Sequence, residues 1–172
     1  MSRYRPPQPK SSPYITADGY RALEAESKAL WKRRAEVTRA LAAAAAEGDR
    51  SENAEYIYRK KELAGIDRRI RYLQKRLPDL TIVDHVPHNP AQIFFGAWVT
   101  LEDEQGKECC YRIVGADEIA VDPRYISLDS PMAGALLKKM SDDEVSVTTP
   151  QGERRFIVTN VSYNPVQSQP DT

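Results

Sequence analysis

The sequence predicts an α+β fold: an N-terminal antiparallel α-helical coiled-coil hairpin, then a β-rich domain with one short helix. Three observations predict it. Apolar residues recur at helical spacing through two long stretches before residue 78. A glycine, Gly48, separates those stretches. From Leu80 onward, short segments rich in β-branched and aromatic residues take over.

Residues 1–15 hold Pro6, Pro7, Pro9 and Pro13 among polar side chains and read as a disordered or extended tail. Thr16 is a suitable helix N-cap, with Asp18 favourable in the first turn. From there to about Ala46 there is no proline and one glycine, Gly19. Tyr20, Leu23, Leu30, Val37 and Leu41 keep the helical spacing, interrupted by Ser27 and Arg34, and the alanines 42–46 favour helix. Gly48 breaks the helix near its end. A second helix is predicted from about Ser51 to Leu77. Its seam of Leu63, Ile66, Ile70, Leu73 and Leu77 has the period of a coiled coil. Pro78 is expected to stop it. Two helices joined by a short loop must lie antiparallel. Residues 16–78 therefore form a finger about 40 Å long, with its tip at 47–53.

Residues 79–164 read as the second domain. Strands are expected at Leu80–Asp84, Phe94–Leu101, Glu108–Val114, Tyr125–Leu128, Val145–Thr149 and Phe156–Val161. Hairpin turns fall at Glu104–Lys107 and Pro150–Gly152. Ser130 as N-cap and Pro131 at the first helical position open a short helix to Lys139. Residues 165–172 resemble the first tail in composition.

Hydrophobic residues make up 41% and charged residues 29%, which suits a chain with a real core. No apolar run is long enough for a bilayer, and Met1–Lys10 lacks the apolar segment of a secretory signal. The expected setting is cytoplasmic, with no membrane partner. The adjacent Cys109 and Cys110 point to opposite faces of a strand and read as packing residues. The zero net charge hides an asymmetry: residues 1–16 carry +3, 17–77 carry +5 and 78–172 carry −8. A basic arm on an acidic body implies two surfaces with different partners.

Asp49 and Glu52 sit at the tip, three residues apart, on one face of a helical start. One reading makes them a capping box. The other starts from the seam, which extends back from Leu63 through Arg59 and Tyr56 to Glu52 and Asp49. The apolar stripe thus gives out before the tip, and carboxylates seldom occupy a core position without partners. Carboxylate oxygens are also the hard ligands that magnesium accepts. Two cannot complete a site, but they can complete one supplied by another macromolecule. Glu55 is a weaker third candidate. Behind the tip follow Arg59, Lys60, Lys61, Arg68, Arg69, Arg71, Lys75 and Arg76, with Lys32, Arg33, Arg34 and Arg39 on the first helix. They form either a solvated face or a track for phosphates, with Tyr56 and Tyr58 near enough to stack on bases.

Gly48-Asp49-Arg50-Ser51-Glu52-Asn53-Ala54-Glu55-Tyr56 resembles the tip motif of the bacterial Gre transcript-cleavage factors. Ile66-Asp67-Arg68-Arg69-Ile70-Arg71-Tyr72-Leu73 is similar to the second helix of the GreB type within that family. So are Phe94-Phe95-Gly96-Ala97-Trp98-Val99 and Tyr125-Ile126-Ser127-Leu128-Asp129-Ser130-Pro131-Met132-Ala133 to segments of its second domain. Several motifs in the right order, over roughly residues 15–163, make the likeness specific.

The resemblance implies an FKBP-like C-terminal domain that docks on bacterial RNA polymerase through Asp129, Ser130 and Pro131. It implies that the coiled coil enters the polymerase secondary channel as a monomer. There Asp49 and Glu52 would share Mg2+ with the polymerase, with no cofactor held by the chain alone. Arg59, Lys60, Arg68, Arg69, Arg71 and Lys75 would hold the nascent RNA 3′ end of a backtracked complex. The polymerase would cleave, and this chain would not itself be an enzyme. Two features depart from the pattern: the proline-rich segment before Ser12 and the alanine run 42–46.

A channel-binding inhibitor is the alternative that keeps the partner, and intact tip acids argue against it. A peptidyl-prolyl isomerase would rest on fold alone. A plain coiled-coil adapter would leave the basic face and bare tip as accidents. His85 and His88, beside Pro87 and Pro90, read as loop residues rather than metal ligands.

Overall fold

The computed structural model describes residues 9–48 and 53–164. The chain divides into two compact units, Asp18–Leu80 and a second drawn from Met1–Ala17 and Thr81–Thr172. The predicted order holds: a helical hairpin, then a β-rich domain with one short helix. Among the described residues no helix is long and apolar enough to cross a membrane. The tail expected over 165–172 and the first eight residues of the N-terminal one lie outside the described residues.

The hairpin consists of α1 (Ala17–Ala46) and α2 (Ala54–Asp79). Val37 packs with Ile66 and Ile70, flanked by Leu30 and Leu63, so the 3-4 seam is the buried face. Salt bridges between the helices flank that seam. Arg34 Nε lies 2.7 Å from Asp67 Oδ1, and Arg33 Nε lies 2.9 Å from Glu62 Oε1. Arg34, which interrupts the apolar line in sequence, thus joins the two helices at the edge of the seam.

Two boundaries differ from expectation. The second helix begins at Ala54 rather than Ser51, because Asn53 is its N-cap. Pro78 lies inside α2 rather than beyond it. In the last turn its missing N–H removes one hydrogen bond, and the helix closes two residues later with Leu80 N–H donating to Leu77 O at 3.3 Å.

The last two residues of the predicted tail over 1–15 form a strand instead. Tyr14–Ile15 form strand β1, paired in parallel with β2 (Thr81–Ile82). Ile15 is fully buried. The partner strand lies beyond the whole hairpin in sequence, so local composition carries no trace of the pairing.

The main sheet has strand order β5-β4-β3-β7-β6. Its strands are β3 (Trp98–Asp103), β4 (Glu108–Val114), β5 (Tyr125–Ser127), β6 (Glu144–Thr149) and β7 (Gly152–Ser162). β4 and β5 pair in parallel; the other neighbours are antiparallel. Alternation sends Val99, Leu101, Ile113, Val145, Val147, Phe156 and Val158 into one core with Ile93 and, from helix α3 (Pro131–Leu136), Ala133 and Leu136. α3 stops short of the expected Lys139. Lys138 takes a φ of +67°, and residues 138 and 139 instead exchange backbone hydrogen bonds with Ile93 at 2.8 Å each.

Candidate functional site

The tip acids Asp49 and Glu52 lie outside the described residues, but both helix ends that they join are defined. α1 finishes at Ala46, and Gly48 follows with φ +138°, a conformation that side-chain-bearing residues rarely adopt. On the other side Asn53 does two jobs. Its Oδ1 accepts from Tyr56 N at 3.1 Å, capping α2, and its Nδ2 donates to Ala44 O at 2.8 Å, tying that cap to the end of α1. With Asn53 as N-cap, the third helical position is Tyr56. The capping-box reading of Asp49 and Glu52 falls outside the described residues. Glu55 sits in the first turn, where its charge favours the helix dipole.

The basic residues behind the tip separate into two groups. Arg59 donates from Nε to Glu55 Oε1 at 2.7 Å and from Nη1 to Glu62 Oε2 at 3.0 Å, and stacks over Tyr58. Arg69 grips Glu26 with both ends of its fork, at 2.6 and 2.9 Å, and stacks over Tyr72. Both guanidiniums therefore serve the hairpin itself. Lys60, Arg68, Arg71 and Lys75 are exposed. At about 100° per residue these four share an arc of about 80°, on the far side of α2 from Ile66, Ile70 and Leu73, along roughly 22 Å of helix. Ile57 and Tyr58, both exposed, lie between this stripe and the tip.

Glu62 is the node of the ion-pair network. The Arg33 hydrogen bond, and then that of Arg59, hold its carboxyl below the usual range against the opposing effect of burial.

In the second domain the segment Asp129-Ser130-Pro131 is held backbone and side chain. Ser130 Oγ accepts from Ala133 N at 3.1 Å as the N-cap of α3, and Pro131 occupies the first turn. Asp129 N donates to Ser127 Oγ at 3.1 Å, and Ser130 N donates to Ser127 O at 2.9 Å. The Asp129 carboxylate is exposed, and it receives Ser12 N on Oδ2 at 2.8 Å and the Ser12 hydroxyl on Oδ1.

Close by in sequence, Glu118 is buried and accepts from Gly115 N at 2.8 Å, from Thr16 N at 3.1 Å and from the Thr16 hydroxyl. Thr16 thus sits just before α1, as expected of a cap, while its hydroxyl is committed to Glu118. Ser12, Glu118 and the clamping role of Asn53 escaped the sequence reading. Only Asn53 had a local signal, as an asparagine immediately before a helix. Among the described residues, no group of three or more His, Cys, Asp or Glu is placed to hold a metal ion.

Residues 13–82 match the family description "Transcription elongation factor, N-terminal", and residues 88–163 match "Transcription elongation factor, GreA/GreB, C-term". The chain belongs to the GreA/GreB family of transcription elongation factors. It is 53% identical over 166 residues to transcription elongation factor GreB of Pseudomonas aeruginosa, covering 96% of this chain and 99% of that protein. It is 56% identical over 165 residues to GreB of Xanthomonas axonopodis pv. citri, covering 95% and 98%. Among solved structures, that of the transcription factor Gfh1 is similar, with 29% identity over 86% of this chain and 96% of that one and a TM-score of 0.42.

Proposed function

We propose that this elongation factor binds bacterial RNA polymerase, inserts its hairpin into the secondary channel and stimulates the polymerase's own cleavage of backtracked RNA. The observation that carries the reading is the clamp at Asn53. The Asn53 side chain caps α2 and ties that cap to Ala44 O near the end of α1, so both ends of the hairpin that flank the tip segment are held together.

Each part of the chain then has one task. Asp129, Ser130 and Pro131 dock the second domain. The ion-paired hairpin delivers the tip as a rod. Lys60, Arg68, Arg71 and Lys75 offer a phosphate track to the extruded RNA 3′ end. Asp49 and Glu52 supply hard oxygen ligands and orient a water at the polymerase active site. Magnesium, once bound there, would stabilise charge on the attacking and leaving oxygens of phosphodiester hydrolysis. The fit is one of completion: two carboxylates are too few for a site of their own and suit one whose other ligands belong to the polymerase. The chain is a stimulator rather than an enzyme, acting as a cytoplasmic monomer.

The test is cleavage of 3′-extruded RNA by stalled, backtracked polymerase, with and without the factor and magnesium. The factor shortens the RNA from its 3′ end in the presence of magnesium. Asp49→Ala and Glu52→Ala each abolish that effect and leave polymerase binding close to the parent's. If both variants stimulate cleavage as well as the parent, the tip has another role.

A further inference from the structure

We propose that Ser12 is a positioning residue for the Asp129 carboxylate, holding it in the orientation that docks on the polymerase. This rests on the reading of Asp129 as a docking residue.

The donor is itself fixed. Immediately after Ser12, Pro13 O accepts from Thr81 N at 2.7 Å, Ile15 O accepts from Val83 N at 2.9 Å, and the buried Ile15 anchors the strap. The Tyr14 ring lies 6.3 Å from that of Phe95. Ser12 is therefore presented by a pinned strand rather than by a loose tail.

Both donors of Ser12 go to one carboxylate, one to each oxygen. A carboxylate accepts about four hydrogen bonds, so this grip leaves acceptor capacity on each oxygen and leaves the negative charge intact. On an exposed loop, an aspartate without such a grip would sample several rotamers. Held at both oxygens, and with its backbone N–H already on Ser127 Oγ, Asp129 meets a cationic or N–H-bearing partner group without that ordering cost.

The experiment measures affinity for RNA polymerase and the cleavage rate at saturating factor. The proteins are the full chain and its Ser12→Ala, Ser12→Thr, Asp129→Ala and doubly substituted Ser12→Ala/Asp129→Ala forms. Ser12→Ala weakens binding about tenfold, the low end of the scale of one hydrogen bond to a charged group, and leaves the saturated cleavage rate unchanged. Ser12→Thr restores the parent's affinity. In the Asp129→Ala background, Ser12→Ala adds no further loss, because the two act through one carboxylate. The inference is overturned if Asp129→Ala binds weakly while Ser12→Ala binds like the parent, or if the Ser12→Ala loss persists in that background. If Asp129→Ala itself binds like the parent, the docking role of Asp129 is wrong and the inference goes with it.

Discussion

Asn53 carries more of the hairpin's order than its size suggests. One amide accepts from Tyr56 N in the first turn of α2 and donates to Ala44 O in the last turn of α1. Asn53→Ala is expected to lower stability by roughly 1 kcal/mol, mainly the loss of the cap, since Ala44 O keeps its hydrogen bond from Glu47 N at 3.3 Å. Asn53→Asp keeps the acceptor and loses the donor, so it should fall between. Urea unfolding followed by circular dichroism measures both, and an Asn53→Ala protein as stable as the parent would remove the clamp from the account. Gly115 shows the same economy elsewhere. A Cβ there would stand 2.2 Å from Tyr14 O, so only glycine lets the strap pass over the Glu118 turn.

The helices are held by an apolar seam and by ion pairs at its edges, and the second of these responds to pH. Glu62 has a folded pKa below its usual 4.5, owing first to Arg33 and then to Arg59. A carboxyl whose pKa is depressed by folding contributes stability that is fully present above its unfolded pKa. That stability is lost as pH falls through the lower, folded value. The protein is therefore expected to lose thermal stability as it is acidified below about pH 4.5. Glu62→Gln should be less stable than the parent at pH 7 and should show a shallower fall on acidification. Thermal melts at a series of pH values test this, and identical slopes for the two proteins would rule out Glu62 as the acid-sensitive node. Ion pairing also separates structural from available basic residues. Reversing the charge of Arg69 would break its bidentate grip on Glu26, so its effect on RNA could not be told from damage to the rod.

Across the whole chain, net basic charge falls on residues 17–77 and net acidic charge on residues 78–172. The exposed stripe of Lys60, Arg68, Arg71 and Lys75 is the part free to follow a phosphate backbone. Arg68→Ala and Arg71→Ala are expected to impair release of long extruded RNA more than release of short fragments. Each should also reduce the salt dependence of RNA engagement by a log–log slope of about 0.7. Cleavage of backtracked complexes of graded length, at several salt concentrations, provides the measurement. Equal losses for short and long fragments would show that the stripe does not follow the RNA. This stripe was only half legible in the sequence. Periodicity places all six predicted basic residues on α2, but it cannot show that Arg59 and Arg69 are already spoken for by Glu55, Glu62 and Glu26.

By itself, the sequence determined what depends on neighbours along the chain. Apolar period and the break at Gly48 set the hairpin. Alternation and turn residues set the strands of the second domain, and the Ser130–Pro131 pair set the start of α3. The carboxylates beyond the end of the seam were visible for the same reason. The tertiary structure alone decided what depends on segments far apart. It made Tyr14–Ile15 a strand, buried Glu118 against Thr16 and placed Ser12 on Asp129. Hydrogen bonds across such separations leave no periodic mark in a single sequence, because either partner taken alone is an ordinary polar residue.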